Sequence, residues 1–198
     1  MSTDFAKMWP PLSEVSYNSR PMLTEWSLHY PRWVIEDGYP YRDVGATFEW
    51  FNVDFNADPP LAKTAVRYKS AVPIADFGYR ITGEVECLSE EGCLLDFGLR
   101  AMSSRTALAP DCKQGDYVTG EIAISLVYGI MYLPEAVFET LKCRWHVNRI
   151  TADLTPYVSH PDNPRFFLRD ETRIQYADVR STLEVKAKDY ILHWTEDR

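Results

Sequence analysis

Residues 79–99 read YRITGEVECLSEEGCLLDFGL, and the fold turns on how this run is read. Tyr79, Ile81, Gly83, Val85 and Cys87 alternate with Arg80, Thr82, Glu84 and Glu86. A period of two places one set on the core side of a pleated strand and the other in water, which a helix does not do. Ser89-Glu90-Glu91-Gly92 then supplies a turn. Cys93, Leu95, Phe97 and Leu99 resume the rhythm against Leu94, Asp96, Gly98 and Arg100. The stretch predicts a β-hairpin with an acid-rich outer face. It also predicts that Cys87 and Cys93 lie on the inner face as near neighbours across the strands.

Working outward, the same period recurs twice. Val118, Ile122, Ile124 and Leu126 share one side of residues 114–126, and Val179, Ser181, Leu183, Val185 and Ala187 share one side of residues 179–187. Residues 44–57 read as a strand that is apolar on both sides in its second half, and residues 62–71 as a short helix or a strand, with strand preferred. Residues 155–164, TPYVSHPDNP, read as a loop. Helix signals are confined to residues 134–145, where Pro134 and Glu135 suit an N-terminus. From 1 to 43 the chain is punctuated by Pro10, Pro11, Pro21, Pro31 and Pro40 among Trp9, Trp26 and Trp33. It reads as an arm packed on a barrel-like domain over 44–198.

Composition agrees with a folded, strand-rich chain. The 198 residues are 45% hydrophobic and 25% charged, with 12 Tyr, 9 Phe and 6 Trp. No basic leader followed by an apolar segment opens the sequence, and its most apolar run, residues 123–133, is too short for a bilayer-spanning helix. A soluble, cytoplasmic protein is expected. With 21 basic against 29 acidic side chains the net charge is −8, and no basic cluster offers a duplex-binding surface.

The order of the hairpin, a loop and QGDYVTGEIAISL resembles the first three strands of an OB-fold barrel. Gly83, Leu94-Leu95-Asp96-Phe97-Gly98 and Gly115-Asp116 carry the resemblance, over about 50 residues. The fold expected is therefore mainly β: a single barrel or strongly curved antiparallel sheet with OB-like strand order, one short helix and an N-terminal arm. The resemblance implies single-stranded nucleic-acid binding by aromatic stacking in a basic groove. Here the outward set is Arg80, Thr82, Glu84 and Glu86, joined by Glu90 and Glu91, and only Arg100, Arg105 and Tyr117 suit a phosphate chain. Those acids repel one.

No catalytic motif is present: there is no Gly-x-Ser-x-Gly, no His-Glu-x-x-His and no phosphate-cradling glycine loop. Ser103 and Ser104 with His146, His160 or His193 are the available hydroxyl–imidazole partners. Cys143 and His146, with Cys112 or His160, are the available metal ligands, but core cysteine is the simpler reading. No metal or other cofactor is expected. Tyr39, Tyr41, Trp50, Phe51 and Phe55 suit either a core or an apolar pocket. The leading expectation is a non-enzymatic acidic interaction module, of inhibitor, immunity or adaptor type, that docks a basic protein. Its binding residues are Glu84, Glu86, Glu90, Glu91, Arg100 and Tyr117. The alternatives are an OB-like single-strand binder, or a barrel pocket protein or small enzyme for an apolar or aromatic molecule. An arm exchanged between copies would give a homodimer.

Overall fold

A computed structural model describes residues 25–39, 42–49, 53–126, 133, 137, 141 and 144–197. Strands dominate. In chain order they are β1 (Trp26–Pro31), β2 (Thr47–Glu49), β3 (Val53–Asn56), β4 (Ala62–Thr64), β5 (Ser70–Pro73), β6 (Gly78–Leu88) and β7 (Gly92–Asp96). They continue with β8 (Arg100–Ser104), β9 (Tyr117–Leu126), β10 (Arg144–Asp153), β11 (Tyr157–His160), β12 (Asn163–Arg169), β13 (Tyr176–Val179) and β14 (Asp189–Asp197). Between them lie one five-residue helical turn, α1 (Arg32–Glu36), and a 3-10 turn at Arg105–Ala107. The helix expected over 134–145 falls largely outside the described residues, and its end, Arg144–Trp145, opens β10.

Five strands close on themselves as a barrel. The antiparallel meander β6-β7-β8 follows the hairpin read from residues 79–99. β9 pairs antiparallel with both β6 and β3, and β3 meets β8 in parallel at Asp54 and Met102, which completes the ring. A wing extends from it. β14 pairs antiparallel with β10 on one edge and β1 on the other, while β13 and β2 share the far edge of β10. β11 and β12 form a separate hairpin.

The alternation in 79–99 sets the barrel interior. Tyr79, Ile81, Val85, Leu95, Phe97 and Leu99 are buried in the central core with Val118, Ile122 and Ile124. β6 passes close to β7 at Gly83, where an added Cβ would lie 3.0 Å from Phe97 Cβ and 3.1 Å from the Asp96 carbonyl oxygen. A side chain there would push the two strands apart by a few tenths of an ångström.

Several sequence expectations change. A bulge between Val85 and Cys87 shifts the register, so that Cys87 faces Leu94 and Leu88 faces Cys93. Cys93 belongs to the central core, whereas Cys87 packs with Leu94 and Met102 in a second apolar cluster outside the barrel. The two thiols are therefore on opposite faces. In the alternating run 179–187, Val179 ends β13 and Ser181 makes an isolated bridge to Asp43, but the rest is turns and bends with Leu183 exposed; the strand that follows is β14, buried on both faces. RAMSS forms β8, a strand the OB resemblance passed over. Val158 and Ser159, read as loop, lie in β11.

One cluster of side chains fills both barrel and wing. Trp26 of β1 is central to it, 5.3 Å from the Tyr79 ring and 5.8 Å from Phe97 between centroids. Yet among the described residues β1 meets the barrel ladder at one bridge, His29 to Ser125. The Tyr79 hydroxyl makes up the deficit. It accepts the Ser27 N–H at 2.6 Å and donates to the Ser27 carbonyl at 3.2 Å, acting as a substitute strand partner. Burial pushes the phenol above its ordinary pKa, so it remains a donor. Tyr79→Phe keeps the ring contacts but leaves both Ser27 groups unpaired. It is expected to lower stability by about 1–3 kcal/mol, read from the urea midpoint. A change well below that range would mean that ring packing alone joins the two parts.

Candidate functional site

Cross-strand register among β6, β7, β8 and β9 brings four of the six residues expected to bind onto one outer face. Glu84 accepts a hydrogen bond from the Tyr117 hydroxyl at 3.3 Å, and Glu86 pairs with Arg100 Nε at 2.7 Å. Two residues that the sequence reading left out join them. Lys69, from the loop before β5, lies 2.6 Å from Asp96 and 3.6 Å from Glu84. Burial drives the Asp96 carboxyl upward, but the Lys69 ammonium and the Gly98 N–H outweigh it and hold its pKa below the ordinary value. Arg67 stands 5.7 Å over the Tyr117 ring. Lys69 is far from Asp96 in sequence, and no local pattern marks it.

The acidic face is consequently a set of paired charges. Glu90 and Glu91 are the exception: they sit exposed at the β6–β7 turn, and neither forms an ion pair among the described residues. The turn itself is closed by Ser89 Oγ, which accepts the Glu91 and Gly92 N–H groups.

Beside the paired charges opens a cleft of about 570 Å³. Cys87, Leu94 and Val137 give it an apolar floor, and Glu84, Glu86 and Arg100 a charged rim. The floor belongs to the outer cluster, where Leu133 and Leu141 pack against Leu94 and Met102 over the outside of β7 and β8. Such a cleft accepts a side chain with an apolar body and a polar or cationic end.

The nucleophile and metal candidates fare differently. Cys93 and Cys112 are buried free thiols, and burial raises Cys93 to about 12, so it is not a ready thiolate. Cys143 lies outside the described residues. His146 is on β10 with Nδ1 3.4 Å from Thr47 Oγ1, and no group of three metal-ligating side chains occurs among the described residues. Of the aromatic set, Phe55 is core and Tyr39 packs on the core, while Tyr41, Trp50 and Phe51 lie outside the described residues. No helix among the described residues is long and apolar enough to cross a membrane.

His193 pairs with Ser27, not with Ser103 or Ser104. Its Nδ1 lies 2.7 Å from Ser27 Oγ and 3.3 Å from Arg149 Nη2. Arginine only donates, so Nδ1 is the acceptor and Nε2 carries the proton. Nε2 is 3.3 Å from Thr151 Oγ1, which in turn donates to Asp178 at 2.9 Å. Burial, then the Arg149 charge, lowers the His193 pKa and keeps the ring neutral. His193, Arg149, Thr151 and Asp178 line one side of a hollow of about 380 Å³, with Asp76 and Tyr176 on its wall. Both ring nitrogens are committed to the chain's own hydroxyls, and Tyr79 holds the Ser27 backbone. The arrangement straps β1, β14, β10 and β13 together.

One buried carboxyl stands apart. Asp54 alternates away from the buried Val53 and Phe55, onto the side of β3 that carries Met102, and its Oδ1 has no hydrogen-bond partner. Burial raises its pKa to about 7, against a small downward pull from the Phe55 N–H. Comparison with protein-family models, with curated proteins and with solved structures returns no match. The raised carboxyl makes stability depend on pH. The folded chain binds the Asp54 proton more tightly than the unfolded chain, whose carboxyl titrates near the ordinary 3.8. This contribution is therefore full below about pH 4 and is lost as pH rises toward 7. Asp54→Asn should remove that loss and gain on the order of a few kcal/mol at pH 8 relative to wild type, with little difference at pH 4. Parallel urea titrations of the two proteins check it.

Proposed function

We propose that this protein is a non-enzymatic interaction module whose cleft receives a short partner segment combining a cationic and an apolar side chain. The observation that carries the reading is the meeting of Glu84, Glu86 and Arg100 with the apolar floor of Cys87, Leu94 and Val137 in one open cleft. The floor supplies adhesion through apolar burial, and the rim carboxylates, held in place by Arg100, Tyr117 and Lys69, select a cation. This narrows the basic protein partner expected from the sequence to a particular kind of contact.

The ring order supports an OB-like barrel. Followed from β6, the ring runs β6-β7-β8-β3-β9, antiparallel except at β8–β3. The strand that an OB barrel places last is supplied here from the N-terminal side. In that fold the face of the second and third strands holds nucleic-acid strands. Here Leu133 and Leu141 cover that face, and the open surface beside it is rimmed by carboxylates. Both facts favour a peptide over a phosphate chain.

Selection of random peptides on the immobilised protein tests the reading. The expected result is enrichment of sequences that join Lys or Arg to Leu, Met or Phe. Their affinity should fall roughly tenfold in a Glu84→Gln, Glu86→Gln variant that unfolds at the wild-type urea concentration. No enrichment, or binders indifferent to the two substitutions, would overturn it. So would salt-sensitive binding of short single-stranded DNA at this cleft.

A further inference from the structure

We propose that the β11–β12 hairpin of one copy docks in the cleft of a second copy, head to tail. The inference rests on reading the cleft as a seat for a basic and apolar segment, and the chain carries such a segment on its own surface. β12 contains Arg165-Phe166-Phe167-Leu168-Arg169. Phe166, Phe167 and Leu168 are 64%, 62% and 46% exposed, and Val158 opposite Leu168 is 39% exposed. Val158, Phe166 and Leu168 fall on one side of the two strands, an apolar surface that no part of the chain covers among the described residues.

The base of the hairpin is held firmly while its apolar side is left out. Arg169 pairs with Asp153 at 2.8 Å and donates to the Tyr176 hydroxyl at 2.8 Å. The Tyr157 hydroxyl donates to Asp189 at 3.3 Å, and Lys188 lies 3.7 Å over the Tyr157 ring. A lone two-stranded hairpin is marginal in water. This one is braced where it meets the body and unpartnered beyond it.

The two surfaces complement each other in both apolarity and charge. The hairpin offers Phe166 and Leu168 to the floor of Cys87, Leu94 and Val137. Arg165 is exposed and forms no ion pair among the described residues. Glu90 and Glu91 are also unpaired, at the turn just beyond Leu88 and Cys93. By the same alternation Arg165 stands on the opposite side of β12 from Phe166, and its long stem reaches round the free edge of the two-stranded sheet to these carboxylates as Phe166 enters the cleft. Each copy carries a net charge of −8, so apolar burial supplies the adhesion and the Arg165 pair fixes the register. The same acidity disfavours an anionic bilayer as the occupant. Hairpin and cleft are different surfaces, so the contact is heterologous and does not close as a dimer unless its rotation does.

Sedimentation velocity of the full chain, from low micromolar to near-millimolar, tests the proposal. The weight-average mass is expected to climb with concentration and continue past two copies. A Phe166→Ser, Leu168→Ser variant, or Arg165→Glu alone, should weaken association roughly tenfold or more. Glu90→Arg with Glu91→Arg should weaken it similarly, and mixing that protein with the Arg165→Glu protein should restore it, because each opposed pair is then complementary again. All these positions are exposed, and circular dichroism verifies the fold.

A chain that stays monomeric throughout overturns the proposal. So does association indifferent to the hairpin variants, or a mixture that regains nothing. Phe166-dependent pelleting of monomers with phosphatidylcholine vesicles would assign the hairpin to lipid and overturn it too. If the chain is monomeric yet its cleft selects peptides, self-docking alone falls. If it is monomeric and selects none, the cleft reading falls as well.

Discussion

The phenolic hydroxyl of Tyr79 joins the two halves of this molecule. Among the described residues β1 and β9 meet at one ladder position, so backbone pairing between wing and barrel is sparse there. Tyr79 satisfies both the N–H and the carbonyl of Ser27, while its ring packs against Trp26 from the same strand. Polar satisfaction and apolar burial therefore act at the same place, and neither compromises the other. Trp26 then reaches Phe97 across the barrel, and a single core becomes continuous from β7 to β14. Ser27 is also where His193 is anchored, so the strap over the wing's outer face depends on the same junction.

The barrel's outer face follows from the close approach of β6 and β7 at Gly83 and the bulge after Val85. Glu84 and Glu86 remain outward, but the bulge carries Cys87 onto that side, next to Leu94. Carboxylates and apolar groups are thus interleaved on one surface. Lys69 and Arg100 neutralise most of the local charge and leave Glu90 and Glu91 as the unpaired acids of the hairpin. A naked acidic face would attract any cation without discrimination. A face of paired charge beside an apolar floor discriminates by shape as well.

The barrel was the most legible part of the chain because its strands are wet on one side. Tyr79, Ile81 and Val85, like Leu95 and Phe97, stand inside as their spacing requires. β14 was hidden for the opposite reason. Ile191 and His193 are buried on its outer face, as Tyr190, Leu192 and Trp194 are on its inner face, so no polar rhythm survives. The neighbouring run 179–187 alternates better and yet beyond Val179 is mostly turns, since periodicity records which side chains suit water and not whether a partner strand exists. Of the expected binding residues, Glu84, Glu86, Arg100 and Tyr117 come together because they share one outward face of neighbouring strands. Lys69 and the bulge were invisible, because both depend on contacts between distant parts of the chain.

β14 bears on the order of events during synthesis. It is the partner of β1 along residues 26–31 and of β10 along residues 144–153, so the longest ladder of each of these strands waits until residues 189–197 leave the ribosome. The barrel strands β3 and β6 to β9 are all made by residue 126 and can close earlier. Growth of the nascent chain thus separates the strand pairings of the ring from those of the wing, where Trp145 meets Trp194 only once β14 is made. β14 follows every strand it pairs with, and it closes the wing.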